Sequence, residues 1–521
     1  MANNIRQTNS PNEADERVSA LVTNAAAVSA LASAVEGTLG PKGLDCMLVD
    51  KFGDVTVTND GATILDKIDT NHPAAQMLIK AARAQENEIG DGTTTTAILA
   101  CALISEGLAN VQKGVPVTKV IEGMRFGVKA ALDFIKHQAA QNSADKHLTQ
   151  VALVAARGNE DIAGLIVEAA RLVGNEKLKD PGYCLADAIV AKEYAQNEVF
   201  TGVILDKQRL SRQMPRSIEN AKVFIIDDAL EPGQVEDDAL ATESGFARYM
   251  ALQDEFRRDV EKIVGLGVTF IAASKAIDPV AEEVLTDTGV LAVRRLSSRD
   301  IARLVELTGA RTLKRSGLAK DPAELQGFLG TCDRVYEDER LDHIRVLGGK
   351  GHGMPTVIVG ASTREVKDER ERIARDAAGA VQSAVKTGVV AGGGAIEIGA
   401  AKHILSLKEK AHGMASYGID AVSAALKRPL SQIVANAGFN PLEKVEEVLS
   451  AQSKADDCSL AIDCDTGEVC NMTKCGVVDP AGVKLYALST AAEVAEAILR
   501  INTIIRKREE SAAPAKSSEL I

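Results

Sequence analysis

The chain has no tryptophan, and Tyr 6 with Phe 10 brings the aromatic share to only 3% of 521 residues. Its cores must be built from Ala, Val, Leu and Ile, which favours close-packed helices over a surface that stacks bases or sugar rings. Positive charge is in deficit: Lys+Arg 60 against Asp+Glu 73 leaves a net charge of −13. An acidic chain is poorly suited to wrapping nucleic acid or binding an anionic membrane, so neither is expected as a partner. No uninterrupted apolar run of membrane-spanning length occurs, and nothing is expected to cross a bilayer. The opening MANNIRQTNSPNEADER lacks the apolar centre of a signal peptide, so the expected address is the cytoplasm.

Paired C-x-x-C spacing is missing as well. Of the eight cysteines, Cys458, Cys464, Cys470 and Cys475 cluster, with five, five and four residues between them. That is not the pattern of a zinc ribbon, and the expectation is small, reduced core residues.

What is present is a hydrophobic share of 45% with 26% charged residues, spread over a length that suggests about three domains. Residues 17–36, 73–88, 95–111 and 118–136 carry apolar spacings of three and four, the helical pattern. Between the first two lies CMLVDKFGDVTVTNDGATIL, whose alternating Val55-Thr56-Val57-Thr58 predicts a hairpin. In the middle, short apolar runs at 203–205, 223–226, 268–271 and 290–293 alternate with helical patterns near 246–264, 278–287 and 299–308. Such alternation predicts an α/β domain. From about 364 the pattern is helical again (to 388, then 394–410 and 415–437). A strand pair near 459–463 and 468–472 precedes a last helix at 482–506. Helix-rich ends around an α/β middle imply that the termini share one domain. Residues 1–15 and the tail from about 507 read as disordered.

The sharpest local signal is Gly90-Asp91-Gly92-Thr93-Thr94-Thr95-Thr96, running straight into the apolar AILACALI. Glycines admit close approach of a ligand, and the free N–H groups of a helix start attract phosphate. Asp91 is then an anion facing an anion, which a bridging Mg²⁺ resolves. The bland alternative is a polar cap on a buried helix. Three further turns, Thr38-Leu39-Gly40-Pro41-Lys42-Gly43, Asn59-Asp60-Gly61 and Gly392-Gly393-Gly394, each read as ordinary connections when taken singly. Asp376, on the edge of an apolar helix face, likewise reads alone as a solvated flank.

Taken together, TLGPKG (38–43), NDGATIL (59–65), GDGTTTT (90–96), RDAAGAV (375–381), GVVAGGG (388–394) and GVVDP (476–480) carry far more information. In this order and at these intervals they resemble the chaperonins, ATP-driven protein-folding rings, from about residue 17 to 506. The strings FGDVTVTNDGATIL, HPAAQMLIKAARAQENEIGDGTTT, MPRSIENAKVFIID and GVLAVRRLSSRDIARLVELTGAR look most like the group II type, represented by the archaeal thermosome. There are departures. Residues 155–161 (AARGNED) look closer to a group I pattern, Ala276 replaces a usual glycine, and the 231–256 stretch is short for an apical protrusion. The mixture fits a divergent archaeal paralogue or an archaeal-like chaperonin of bacteria.

The resemblance implies a multi-domain α and α/β chaperonin fold. Its parts would be an equatorial domain from 1–147 and 394–521, an intermediate domain from 148–206 and 354–393, and an α/β apical domain, 207–353, with a lid protrusion at 231–256. It implies ATP and Mg²⁺ as cofactors, with K⁺ as an accessory cation. Leu39, Gly40, Pro41, Gly61, Gly92, Thr93, Thr94, Thr95, Gly393 and Asp479 would contact nucleotide, Asp479 at the ribose. Ala461-Ile462-Asp463 would flank the base, with Ala461 standing where a glycine is common. Asp91 would hold Mg²⁺, while Asp376 and Asp60 would be the catalytic acids. Phe246, Tyr249, Met250, Leu252 and Phe256 are candidates for capturing unfolded polypeptides, or else they pack inside. The expected assembly is a double ring of this chain, alone or with paralogues, with about eight subunits per ring by analogy with group II kin. Two other readings remain: a structural ring subunit with little or no ATP turnover, and a small-molecule kinase built on Gly90–Thr96.

Overall fold

The computed structural model describes residues 13–502, apart from 52, 54, 141–145, 234–241, 352–353 and 411–412. The chain divides into two compact units, one formed by Met1–Ser143 with Thr387–Ile521 and the other by Ala144–Lys386.

The first unit is helical. Helix Thr93–Gln112 runs through its centre, packed by Ala481–Leu499, Ser416–Asn436, Glu13–Val35 and Pro73–Ile89. Leu99, Leu103 and Ile104 on the central helix are at most 2% exposed. Burying each such side chain stabilises by about 1.5–3 kcal/mol, so the helix is fixed by packing despite its four β-branched threonines. Ser19–Thr38 and Thr93–Gln112 are long and apolar enough by length and composition to cross a bilayer, although neither is an uninterrupted apolar run. The central helix is apolar because neighbours surround it.

Strands Cys46–Val49 and Val55–Thr58 form the expected hairpin, with Cys46 opposite Thr58. Its far end feeds helix Gly61–Lys67. Two smaller pairs complete the unit: Leu460–Ile462 with Val469–Asn471, and Val389–Ala391 with Val478–Pro480, both antiparallel. The first helix starts at Glu13, so part of the stretch read as disordered is helical. The remaining N-terminal residues and the tail from 507 lie outside the described residues.

The second unit is built on a nine-stranded sheet. Its order is Ile189–Glu193, Pro355–Ala361, Glu198–Leu205, His343–Leu347, Gly330–Asp338, Ser217–Ile226, Phe270–Ala273 and Leu291–Val293, with Thr312–Leu313 pairing to Ser217–Ile226. The last three strands of the row are parallel. Helices Glu243–Gly265 and Pro279–Asp287 make the crossovers between them, as the alternation predicts. Phe224, Ile226, Phe256, Val260, Ile263 and Leu285 form the core on this face. Elsewhere the sheet holds a buried polar group: Arg345 Nε donates to His343 Nε2 at 3.1 Å, and His343 Nδ1 lies 3.2 Å from the Leu341 carbonyl. Burial and the neighbouring Arg345 charge keep the His343 pKa below its ordinary value. Of the eight cysteines, Cys332 alone is buried, Cys184 and Cys475 are exposed and the others are intermediate, so the core reading of the cysteines is largely corrected.

Candidate functional site

In the first unit, four of the singled-out turns meet around the start of the central helix. Gly90 (φ 78°) ends helix Pro73–Ile89, and Gly92 (φ 85°) begins Thr93–Gln112 in the left-handed region that glycine tolerates. No side chain caps this helix start, so the N–H groups of Thr93, Thr94 and Thr95 have no acceptor within their own helix. Asp91 Oδ1 accepts from the Gly92 N–H at 2.6 Å, which fixes the carboxylate beside the turn. Buried Gln85 donates to the Asp91 carbonyl at 2.6 Å and holds the loop from below.

The NDG turn lies against this helix end. A methyl group at Gly61 would sit 2.5 Å from Thr94 Oγ1 and 3.0 Å from Thr93 Oγ1, so only glycine permits the approach. Asp60 caps helix Gly61–Lys67, accepting from Ala62 N at 3.2 Å, Thr63 N at 2.8 Å and Thr63 Oγ1 at 2.6 Å. Its carboxylate is thereby held in a fixed orientation.

The 38–43 loop joins from another side, with Thr38 Oγ1 3.4 Å from Thr94 Oγ1. Asn436 Nδ2 donates to the carbonyls of Leu39 (2.8 Å) and Glu36 (2.9 Å), which presents Leu39, Gly40 and Pro41 on a held loop. Lys42 pairs with Asp465 beyond strand Leu460–Ile462, tying the same loop to the segment holding Ala461 and Asp463.

The glycine cluster and GVVDP face each other as partners in one strand pair, Val390 opposite Asp479. A methyl group at Gly392 would lie 3.1 Å from the Asp479 carboxylate, and one at Gly393 (φ 62°) would lie 3.1 Å from Met472 Sδ. Val483, four residues past Asp479, packs against Gly92, so this pair adjoins the Thr93–Thr95 turn.

These residues fit a magnesium nucleotide. An uncapped helix start, two positions where a side chain would fill the space, and an oriented aspartate at the turn are what a phosphate chain with a hard cation requires.

The remaining candidates lie in the second unit. Asp376 sits on helix Arg364–Thr387, with Arg157 Nη2 3.9 Å from its Oδ2, and the same guanidinium contacts Glu369 at 3.0 Å. Arg157 belongs to the 155–161 stretch and adopts φ 54°. On helix Glu243–Gly265, Phe246 (57%) and Met250 (46%) are exposed, and Tyr249 and Leu252 are half-buried. Phe256 is 4% exposed and packs in the core, which corrects its reading as a capture residue. Residues 234–241 of the expected 231–256 protrusion lie outside the described residues.

Four residues with a part in the site escaped the sequence reading: Gln85, Asn436, Glu397 and Lys484. Lys484 Nζ lies 2.8 Å from both Glu397 Oε1 and Asp479 Oδ2. The signal was available, since Glu397 in AIEIGAA and Lys484 in AGVKLYAL are single charges inside apolar helix segments. Such charges are seldom buried without a partner.

A helical unit with glycine turns gathered at one uncapped helix start has an α/β unit inserted into its sequence, and sequence matching gives the class. Residues 31–509 match the TCP-1/cpn60 chaperonin family, and the chain belongs to that family. It is 34% identical to the thermosome subunit beta of Aeropyrum pernix over 507 residues, 93% of this chain and 91% of that one. It is 32% identical to the thermosome subunit alpha of Thermoplasma acidophilum over 511 residues, 94% of this chain and 92% of the other. The fold is similar to that of a group III chaperonin crystallised in the open state, with TM-score 0.86 and 44% identity, covering 94% of this chain and 100% of that one. The chaperonin fold and a role in protein folding follow from this membership.

Proposed function

We propose that this chain is an ATP-hydrolysing chaperonin subunit that closes around unfolded or partly folded polypeptides within a double ring. The observation that carries the reading is the convergence of the 38–43, 59–61 and 90–96 turns on one uncapped helix start, where the approach of Gly61 leaves no room for a side chain.

Bound Mg-ATP supplies the phosphoanhydride to be cleaved and the cation that offsets its charge. In this reading the N–H groups and hydroxyls of Thr93, Thr94 and Thr95, with Gly61 and Gly92, bind phosphate oxygens, and Asp91 holds Mg²⁺. K⁺ is an accessory cation. Leu39, Gly40, Pro41 and Gly393 line the nucleoside end, and Asp479 accepts from the ribose. Asp60 holds a water in orientation, aided by its own fixed carboxylate, and Asp376 takes that water's proton. Asp376 and the phosphate cradle belong to different compact units. Turnover is then tied to domain movement, with 148–206 and 354–393 as the intermediate domain between an equatorial domain (1–147, 394–521) and an apical one (207–353).

Exposed Phe246 and Met250 support apolar, unselective capture, since unfolded chains share exposed hydrophobic surface. The hairpin supports assembly: Met47, Val49, Val55 and Val57 are exposed on a two-stranded sheet with open edges. About eight copies per ring, with or without paralogues, and a cytoplasmic address complete the reading.

Electron-microscope images with and without ATP, paired with a phosphate-release assay, test it. Stacked rings that close on ATP and release phosphate are expected. Rings that ignore nucleotide and release none would leave a structural subunit, and monomers would remove both readings.

A further inference from the structure

Asp479, proposed above as the ribose acceptor, belongs to an ion triad with Lys484 and the buried Glu397. Glu397, from helix Ala395–Ser406, is 2% exposed. Lys484, from the first turns of helix Ala481–Leu499, has a side chain 10% exposed, and that of Asp479, from strand Val478–Pro480, is 20% exposed. Exposure thus rises from the core towards the site, with one ammonium 2.8 Å from each of two carboxylates. Burial pushes the Lys484 pKa down, but Asp479 and Glu397 outweigh it and raise the value above that of ordinary lysine.

We propose that Lys484, anchored from behind by Glu397, is a positioning residue that aims the Asp479 carboxylate at the nucleotide's ribose hydroxyls. This rests on the reading of Asp479 as the ribose acceptor.

Three features carry the argument. Lys484 engages Asp479 through Oδ2, and one bond of this kind fixes the rotamer while the carboxylate keeps acceptor positions for a ligand. The two carboxylates share one cation, so the triad keeps one net negative charge, and Asp479 is not neutralised by its partner. Neither Glu397 oxygen has a well-aligned hydrogen-bond partner among the described residues, so its charge acts on Lys484 and holds the ammonium in place. The Gly392 backbone closes the other side: a methyl there would come within 3.1 Å of the carboxylate.

The test compares ATP with 2′-deoxy-ATP in phosphate-release kinetics of the full chain. Lys484→Met alone strands the buried Glu397 carboxylate beside Asp479, so Lys484→Met combined with Glu397→Gln, which keeps the triad's net charge, carries the experiment. A hydrogen bond to a charged group corresponds to about tenfold in affinity or more. The double variant is expected to raise KM for ATP about tenfold and to lose most of the preference for ATP over 2′-deoxy-ATP. Its kcat should stay within about twofold, because no group at the reacting phosphate is altered. Asp479→Asn should lose the same preference. If Asp479→Asn loses it and the folded double variant keeps it, Lys484 has no positioning role. If Asp479→Asn keeps it, the ribose reading fails and takes this proposal with it.

Discussion

Helix Thr93–Gln112 buries 14 of its 20 residues, whereas helix Glu243–Gly265 buries four of 23. In the first, the buried residues cover every face, so its orientation is set by neighbours and its start can hold a fixed cradle. In the second, the buried Phe256, Val260 and Ile263 all lie in the C-terminal half, on one face. Phe246 and Met250 in the other half face solvent. Rigid placement serves chemistry on a defined ligand, and exposed apolar surface serves capture of undefined ones. The contrast teaches that an aromatic residue's role on one helix is decided by a few turns: Phe246 is presented and Phe256 is packed.

That contrast can be broken at several points. The largest effect is expected from Phe256→Ala, which empties a core site and should destabilise the second unit by about 3–5 kcal/mol, read from denaturant unfolding. A cost under about 1 kcal/mol would mean that Phe256 is not the anchor it looks to be. Gly92→Ala comes next. Its methyl would meet Val483 Cγ1 at 2.6 Å, in a backbone conformation of φ 85°. A displaced cradle should lower phosphate release about a hundredfold, while full turnover would dissociate the helix start from the chemistry.

Acid sharpens the comparison more gently. His343 is buried neutral, with its folded pKa below the ordinary 6.5. The unfolded chain therefore binds the extra proton first as pH falls. The stabilisation is complete above about 6.5 and is lost on acidification through the folded pKa. Thermal unfolding followed from pH 8 to 5 should show this loss, and His343→Gln should flatten it. The smallest stability change belongs to Phe246→Ser with Met250→Ser, within about 0.5 kcal/mol. Suppression of client aggregation should nevertheless fall. Undiminished suppression would assign capture to another surface.

Much of this was legible in the sequence, for reasons that differ by region. The long helices announce themselves by apolar residues at spacings of three and four, and the parallel strands Phe270–Ala273 and Leu291–Val293 do so because both faces are buried, leaving unbroken apolar runs. Strand Gly330–Asp338 reads GTCDRVYED and escaped notice, since it is half exposed and its pairing with Ser217–Ile226 and His343–Leu347 decides it. In the site, the glycine turns stood out as local punctuation. Why they must be glycine did not, because the atoms they would strike, at Thr94, Val483 and Asp479, lie far away in sequence. The Glu397–Lys484 pair was hidden in the same way: each charge is visible in its own helix, but the contact spans 87 positions (484 − 397).

The most direct test of the account is Asp376→Ala, assayed for both nucleotide binding and phosphate release. Mg-ATP binding is expected to stay close to that of the unaltered chain, with turnover lower by about a hundredfold or more. Turnover unchanged at saturating ATP would contradict this expectation, because the acid on helix Arg364–Thr387 would then take no part in hydrolysis.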